Sequence, residues 1–306
     1  MTAVKEVVLD NVLRPQVMAD YVGQAKTIQR LTIAMNAAKT RSESAPHMLF
    51  HGPAGLGKTS CANLIAGFMG SQLHMASGPS LEKPMDILRI LADIKTNDVV
   101  FVDEVHCIPT LLNEVLYPVL EDLRVDAVVE GKVINCRLPP FTFIGATTMA
   151  GKLSTPFRNR FGLVMHLEYY PPDDLAKILA RSARILKVDI AADCILDIAH
   201  RSRGTPRIAN TLLQRVRDYA NGRRVDQTML DATFDLEEID RDGLDRSDHN
   251  YLNCLRNQFK GGPAGIMALA SSMNEAKETL ESITEPFLLH MKLIARTPRG
   301  RILLDK

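Results

Sequence analysis

Eight consecutive residues, Gly52-Pro53-Ala54-Gly55-Leu56-Gly57-Lys58-Thr59, carry the spacing G-x-x-x-x-G-K-[ST]. Each fixed position has a use if the ligand is a polyphosphate. Gly55 and Gly57 let backbone N–H groups turn inward around the phosphates, and the N-terminus of a following helix adds positive potential. Lys58 reaches the β- and γ-phosphates, Thr59 offers a hydroxyl to magnesium, and Ser60 completes the nucleotide-binding set at the helix start. Further along, Val99-Val100-Phe101-Val102 runs into Asp103-Glu104. An apolar strand that ends in two carboxylates supplies what hydrolysis needs: Asp103 on the magnesium side, and Glu104 to orient and deprotonate a water. His106 stands two residues on and reads more readily as a packed or surface histidine than as a ligand.

These groups need a scaffold, and the first two-thirds of the chain alternates short apolar runs with amphipathic stretches, the pattern of a parallel sheet covered by helices. The spacing predicts strands at 48–51, 72–76, 99–103, 141–147 and 163–168, with a helix over 60–69 directly after the glycine loop. The loop therefore sits between a strand and a helix, the context in which the motif carries meaning. Tyr170-Pro171-Pro172-Asp173 interrupts the pattern, with Asp173 placed to cap a new helix. Helices are predicted over 174–186, 193–202 and 206–221, and an acidic run over 235–245 reads as a linker. Beyond it, helical patterns broken by Gly261-Gly262-Pro263 lead to a hairpin around Pro298-Arg299-Gly300. Three helices followed by a basic hairpin outline a winged helix.

Composition narrows the class. The 306 residues are 46% hydrophobic and 24% charged, with 18 Gly and 16 Pro, a profile that excludes disordered and fibrous proteins. No apolar run approaches the roughly 18 residues of a membrane span, so a cytoplasmic protein with no membrane partner is expected. Five separated cysteines without C-x-x-C encode neither a disulfide framework nor a zinc site. Net charge is only +1, yet seven arginines fall between Leu196 and Arg224, and Arg296, Arg299 and Arg301 cluster near the end. Charge alone makes either group a solvated face.

Taken together, Leu13-Arg14-Pro15, Tyr21-Val22-Gly23-Gln24, the glycine loop, Asp103-Glu104-Val105-His106, Gly145-Ala146-Thr147-Thr148, Phe157-Arg158-Asn159-Arg160-Phe161-Gly162, Gly204-Thr205-Pro206-Arg207-Ile208-Ala209-Asn210, Gly261-Gly262-Pro263 and Arg296-Thr297-Pro298-Arg299-Gly300-Arg301 resemble the RuvB family of AAA+ ATPases, the Holliday-junction branch-migration motors. The resemblance implies an α/β P-loop ATPase subdomain over 1–170, a helical lid over 171–238 and a winged-helix DNA-binding domain over 239–306. It also implies a homohexameric ring that uses ATP and Mg2+ to pump duplex arms of a four-way junction in recombination and repair. By position, Thr147 or Thr148 matches the polar sensor near the γ-phosphate. Arg160, in preference to Arg158, matches the arginine finger that reaches a neighbouring subunit's nucleotide. Arg207 matches the lid arginine on the γ-phosphate, Leu13, Arg14 and Tyr170 match positions that line the adenine pocket, and Arg296 and Arg301 match wing contacts to DNA phosphates.

Departures from the family pattern bear on the partner more than on the ATPase. The segment 126–137, where the family carries a hairpin that meets RuvA, is about four residues shorter, and Cys107 and Met149 replace arginines. A divergent or phage-borne relative, with RuvA either used or replaced, fits these changes. Two other classes join similar parts. A replication-initiator-like switch carries an extra helix before the second carboxylate motif, for which 77–97 leaves no room, and a clamp loader leads from its lid into a helical collar.

Overall fold

The computed structural model describes residues 11–129 and 132–304. Contacts divide the chain into two compact units, one up to Tyr170 and one from Pro171 onward.

In the first unit, helix α1 (Ala25–Thr40) precedes β1 (Met48–His51), which leads through the glycine loop into α2 (Lys58–Met69). There follow β2 (Leu73–Ser77), α3 (Pro84–Ala92), β3 (Val99–Asp103) and α4 (Thr110–Asp122). A hairpin of β4 (Arg124–Val129) and β5 (Lys132–Arg137) leads to β6 (Thr142–Thr147), α5 (Thr155–Arg158) and β7 (Leu163–His166). The sheet runs β2-β3-β6-β1-β7 and is parallel throughout. Val99 to Val102 and all six residues of β6 are buried, as central strands covered on both faces must be. Register then aligns the chemistry: His51 pairs with Thr147 across β1 and β6, while Val102 pairs with Gly145, so β1, β3 and β6 end together at one edge. Carboxyl ends of such a sheet are where open α/β folds bind ligands.

The second unit begins with α6 (Pro172–Leu186), α7 (Ala192–Arg201), α8 (Pro206–Ala220) and α9 (Gln227–Leu236). Asp173 does not cap α6. Pro171 takes the cap position and Pro172 the first helical one, where its fixed φ suits the helix, leaving Asp173 and Asp174 in the first turn beside the positive end of the dipole. The acidic run is no free linker either. Asp240 accepts the backbone N–H groups of Asp242 and Leu244, and Asp245 caps α10 (Arg246–Asn253) through a capping box with Asp248. Helix α11 (Ile266–Met273), a continuous helical stretch through Lys277–Thr279, Leu280–Thr284 and Glu285–His290, and the hairpin of β8 (Ile294–Thr297) and β9 (Gly300–Leu303) complete a winged helix around Tyr251, Leu255, Leu269, Leu280 and Leu288.

Arg203 ties the two halves of this unit. From a left-handed backbone (φ 52°) its Nε donates to the Gly243 carbonyl at 2.9 Å and its guanidinium pairs with Asp245 and buried Asp248, 4.7 Å over the Phe287 ring.

Antiparallel pairing in the β4–β5 hairpin runs from Arg124–Arg137 to Val129–Lys132. The tip expected at Glu130-Gly131 lies outside the described residues. No helix among the described residues is long and apolar enough to cross a membrane.

Candidate active site

Local backbone geometry makes the glycine loop. Gly52 has φ 145° and a Cβ there would collide with the Leu167 carbonyl, while Gly57 has φ 92° with the Tyr21 hydroxyl 3.2 Å from where a Cβ would stand. Both positions suit glycine alone, because the protein's own Leu167 carbonyl and Tyr21 hydroxyl stand where a side chain would begin. Leu56 is buried beneath the loop and anchors it. Lys58 is buried at the start of α2, and its Nζ donates to the carbonyls of Gly52 (2.8 Å) and Pro53 (2.9 Å), so the ammonium lies folded into the loop mouth. Thr59 and Ser60 occupy the same first turn, with Gly55 in the left-handed region before it.

Two strands away from β1, Asp103 ends β3 with Oδ1 accepting the Glu104 N–H at 3.0 Å. Glu104 adopts a left-handed backbone (φ 48°), which turns its side chain off the strand line towards the end of β6. There Thr148 donates to it twice, from the backbone N–H (3.2 Å to Oε2) and from the hydroxyl (3.0 and 3.1 Å to the two carboxylate oxygens). Thr147 has 0% exposure, and its hydroxyl meets His106 Nδ1 at 2.8 Å and accepts the Met149 N–H at 2.9 Å. The two threonines thus separate: Thr148 touches the proposed base and Thr147 supports from behind. Hydroxyl and carboxylate oxygens from Thr59 and Asp103 form a hard donor set that suits magnesium.

Beside the loop, Tyr170 donates its hydroxyl to Tyr21 at 3.2 Å, and Cys61 lies 3.5 Å from the same oxygen. Burial, with Cys61 and Tyr170 adding to it, raises the Tyr21 phenol well above its ordinary pKa. Leu13 and Tyr170 are buried, and Arg14 is half-buried. Tyr21 carried no role in the sequence reading, although its place in a quoted motif was a signal.

Arg160 is held close to its own α4. Its guanidinium lies 4.0 Å over the Tyr117 ring, Nη1 donates to the Pro156 carbonyl at 2.6 Å, and Nη2 pairs with Glu121 at 3.1 Å, leaving the side chain 17% exposed. Arg158 is exposed at the end of the short helix α5, two residues before Arg160. Phe157 and Phe161, edge to face at 5.3 Å, fix the segment to the core. In the second unit, Arg207 is exposed in the first turn of α8, whose Thr205 cap accepts the Ile208 N–H.

The wing arginines face a buried acid. Glu285 has 0% exposure; Arg296 donates to its Oε2 through Nε (2.7 Å) and Nη2 (2.6 Å), Arg301 through Nε to Oε1 (2.8 Å), and Tyr251 through its hydroxyl (2.8 Å). Arg301 also pairs with Glu281 at 2.9 Å and is 14% exposed, against 46% for Arg296. Burial alone would raise the Glu285 carboxyl, but hydrogen bonds from Arg301, Tyr251 and Arg296 outweigh it and lower its pKa. Arg299 stands exposed at the turn between the strands.

Three family models match consecutive stretches: the Holliday junction DNA helicase RuvB P-loop domain over residues 13–167, the RuvB AAA lid domain over 170–240 and the RuvB C-terminal winged helix domain over 241–306. Among solved structures, Thermotoga maritima RuvB, described as a Holliday junction branch migration motor, is 38% identical over 96% of both chains with a TM-score of 0.88. An alanine-to-serine variant of the same protein gives 0.89 at the same identity and coverage. With matches running from the loop to the wing, the chain belongs to the RuvB family of P-loop AAA+ ATPases.

Proposed function

We propose that the protein hydrolyses ATP to drive branch migration of four-way DNA junctions as a homohexameric ring, acting on the duplex arms. The observation that carries the chemistry is the Glu104 carboxylate, oriented by Thr148 at the same sheet edge as the Lys58 loop. Glycine-loop N–H groups and Lys58 bind the β- and γ-phosphates, Leu13, Arg14, Tyr21 and Tyr170 enclose the base, and Glu104 holds and deprotonates the attacking water. Thr59 and Asp103 would hold magnesium, which would supply neutralising charge at the phosphates. Arg207 stabilises γ-phosphate charge within the subunit, and Arg160 does so for a neighbour. Every side of the Arg160 guanidinium is engaged or buried, so service in trans requires leaving the Tyr117–Glu121 cradle.

Arg299, and the outward edge of Arg296, contact phosphates, while Arg301 holds the wing's shape. Coupling to a RuvA-like protein is weakened or replaced by the shortened hairpin. One α-helix, α3, preceded by a single 3-10 turn, separates β2 and β3 among the described residues, which favours the motor over an initiator-like switch.

The test is ATPase rate with and without a synthetic four-way junction, alongside particle size, for the native protein and Glu104→Gln. Junction-stimulated turnover in hexamers is expected, and the variant should bind ATP yet turn over on the order of 10²-fold more slowly. Normal turnover in Glu104→Gln would reject the assignment of the base.

A further inference from the structure

We propose that His106 is a positioning residue for hydrolysis, one that fixes the Glu104 carboxylate through a proton on Nδ1. This rests on the reading of Glu104 as the base. The ring is nearly buried, 8% exposed, with Nδ1 3.0 Å from Glu104 Oε2 and 2.8 Å from Thr147 Oγ1. A carboxylate has no proton to give, so a contact at this distance requires Nδ1 to carry one. That N–H is hydrogen-bonded to the Thr147 hydroxyl, and the Glu104 oxygen lies against the same nitrogen at ion-pair distance. Thr147 cannot drift, because its oxygen also accepts the Met149 N–H at 2.9 Å and its side chain has no exposure. The backbone after β6 therefore fixes Thr147, Thr147 fixes the imidazole, and the imidazole fixes one oxygen of the base.

Neutrality completes the device. Burial pushes the His106 pKa below its ordinary value, Glu104 pulls the other way, and Lys152 adds to the fall. A neutral ring orients the carboxylate without forming a full ion pair with it. Nε2, the remaining nitrogen, lies 3.5 Å from the Cys107 thiol, a weak donor that suits the unprotonated side of this tautomer.

Thr148 and His106 do different jobs. Thr148 holds both carboxylate oxygens, through its hydroxyl and, at Oε2, its backbone N–H, whereas His106 adds a contact to Oε2 alone that is backed by Thr147. Without His106 the carboxylate stays on Thr148 and loses one of the constraints on Oε2. Misplacement of a reacting group by about 1 Å can cost on the order of 10²-fold in rate.

The experiment uses the full-length protein with a four-way junction and compares His106→Leu, His106→Asn, Thr147→Val, Glu104→Gln and the Glu104→Gln/His106→Leu double variant, with melting temperature and ATP affinity measured for each. His106→Leu should lose roughly 10- to 100-fold in kcat with KM for ATP nearly unchanged. His106→Asn, whose amide nitrogen can stand where Nδ1 stands, should recover most of it, and Thr147→Val should lose part. The double variant should be no slower than Glu104→Gln. Native kcat in His106→Leu beside an inactive Glu104→Gln overturns the positioning role while leaving the base intact. Equal losses in His106→Leu and His106→Asn, or a further loss in the double variant, also overturn it. Normal turnover in Glu104→Gln overturns both readings.

Discussion

Replacing Arg301 by alanine separates the two roles that a wing arginine can have. Glu285 would lose the Arg301 contacts at 2.8 and 3.2 Å, and Glu281 would lose its partner at 2.9 Å. Arg296 and the Tyr251 hydroxyl stay on Glu285, so the buried carboxylate keeps part of its compensation. Breaking a buried pair outright costs about 3 to 5 kcal/mol, and the surviving partners place this variant near the lower end, about 3 kcal/mol. With a urea m-value of roughly 1 to 3 kcal/mol/M, the midpoint of the transition that unfolds the winged helix should fall by roughly 1 to 3 M, as followed by circular dichroism and amide exchange. DNA affinity, measured below that transition over a range of salt, should keep its native slope. Arg299→Ala should do the reverse: stability within about 0.5 kcal/mol of native, and a log K against log salt slope shallower by about 0.9. Native stability in Arg301→Ala together with a slope reduced by about 0.9 would refute the division and make Arg301 a phosphate ligand.

Arg160→Ala should bind nucleotide and lose roughly 10³-fold or more of turnover, and mixing it with Lys58→Ala should restore part of the activity through interfaces that pair an intact finger with an intact loop. No recovery in rings demonstrated to be mixed would remove the trans site. His47, whose Nδ1 accepts the Phe143 N–H at 2.9 Å, is pushed down to about 4 by burial. The unfolded chain takes up that proton near pH 6.5 and the folded one resists, so stability is full above pH 6.5 and falls by about 3 kcal/mol as pH drops to about 4. His47→Asn, compared with native by urea titration at several pH values, should flatten that fall. Shortening each strand of the β4–β5 hairpin by about two residues withdraws its tip by roughly 6 to 7 Å; junction unwinding should then respond weakly to RuvA, and strong stimulation abolished by changing Val129 and Val133 to serine would restore the ordinary two-protein machine.

Local chemistry explains why some features could be read in advance. Strands β1 and β3 match their expected limits at both ends because each is a compact apolar block bounded by polar or glycine residues. The glycine loop is one unbroken segment and Asp103-Glu104 is another, so within each the sequence order is the spatial order. Side-chain pairing across elements left no such trace. His106 meets Thr147 only because β6 lies beside β3, and Arg301 meets Glu285 and Tyr251 only after the winged helix closes. Asp173 looked like a cap because acids usually are, yet the proline before it had already set the helix start.

Arg203 has a mechanical consequence. Its bonds to Gly243, Asp245 and Asp248 and its seat on Phe287 cross from the arginine-rich helices to the winged helix within one compact unit. On the proposed function, a joint of this kind would couple movement of α7 and α8 to the β8–β9 hairpin. Leverage also runs backwards. On the same function, load on duplex DNA at the hairpin would be felt at α8, the helix that carries Arg207.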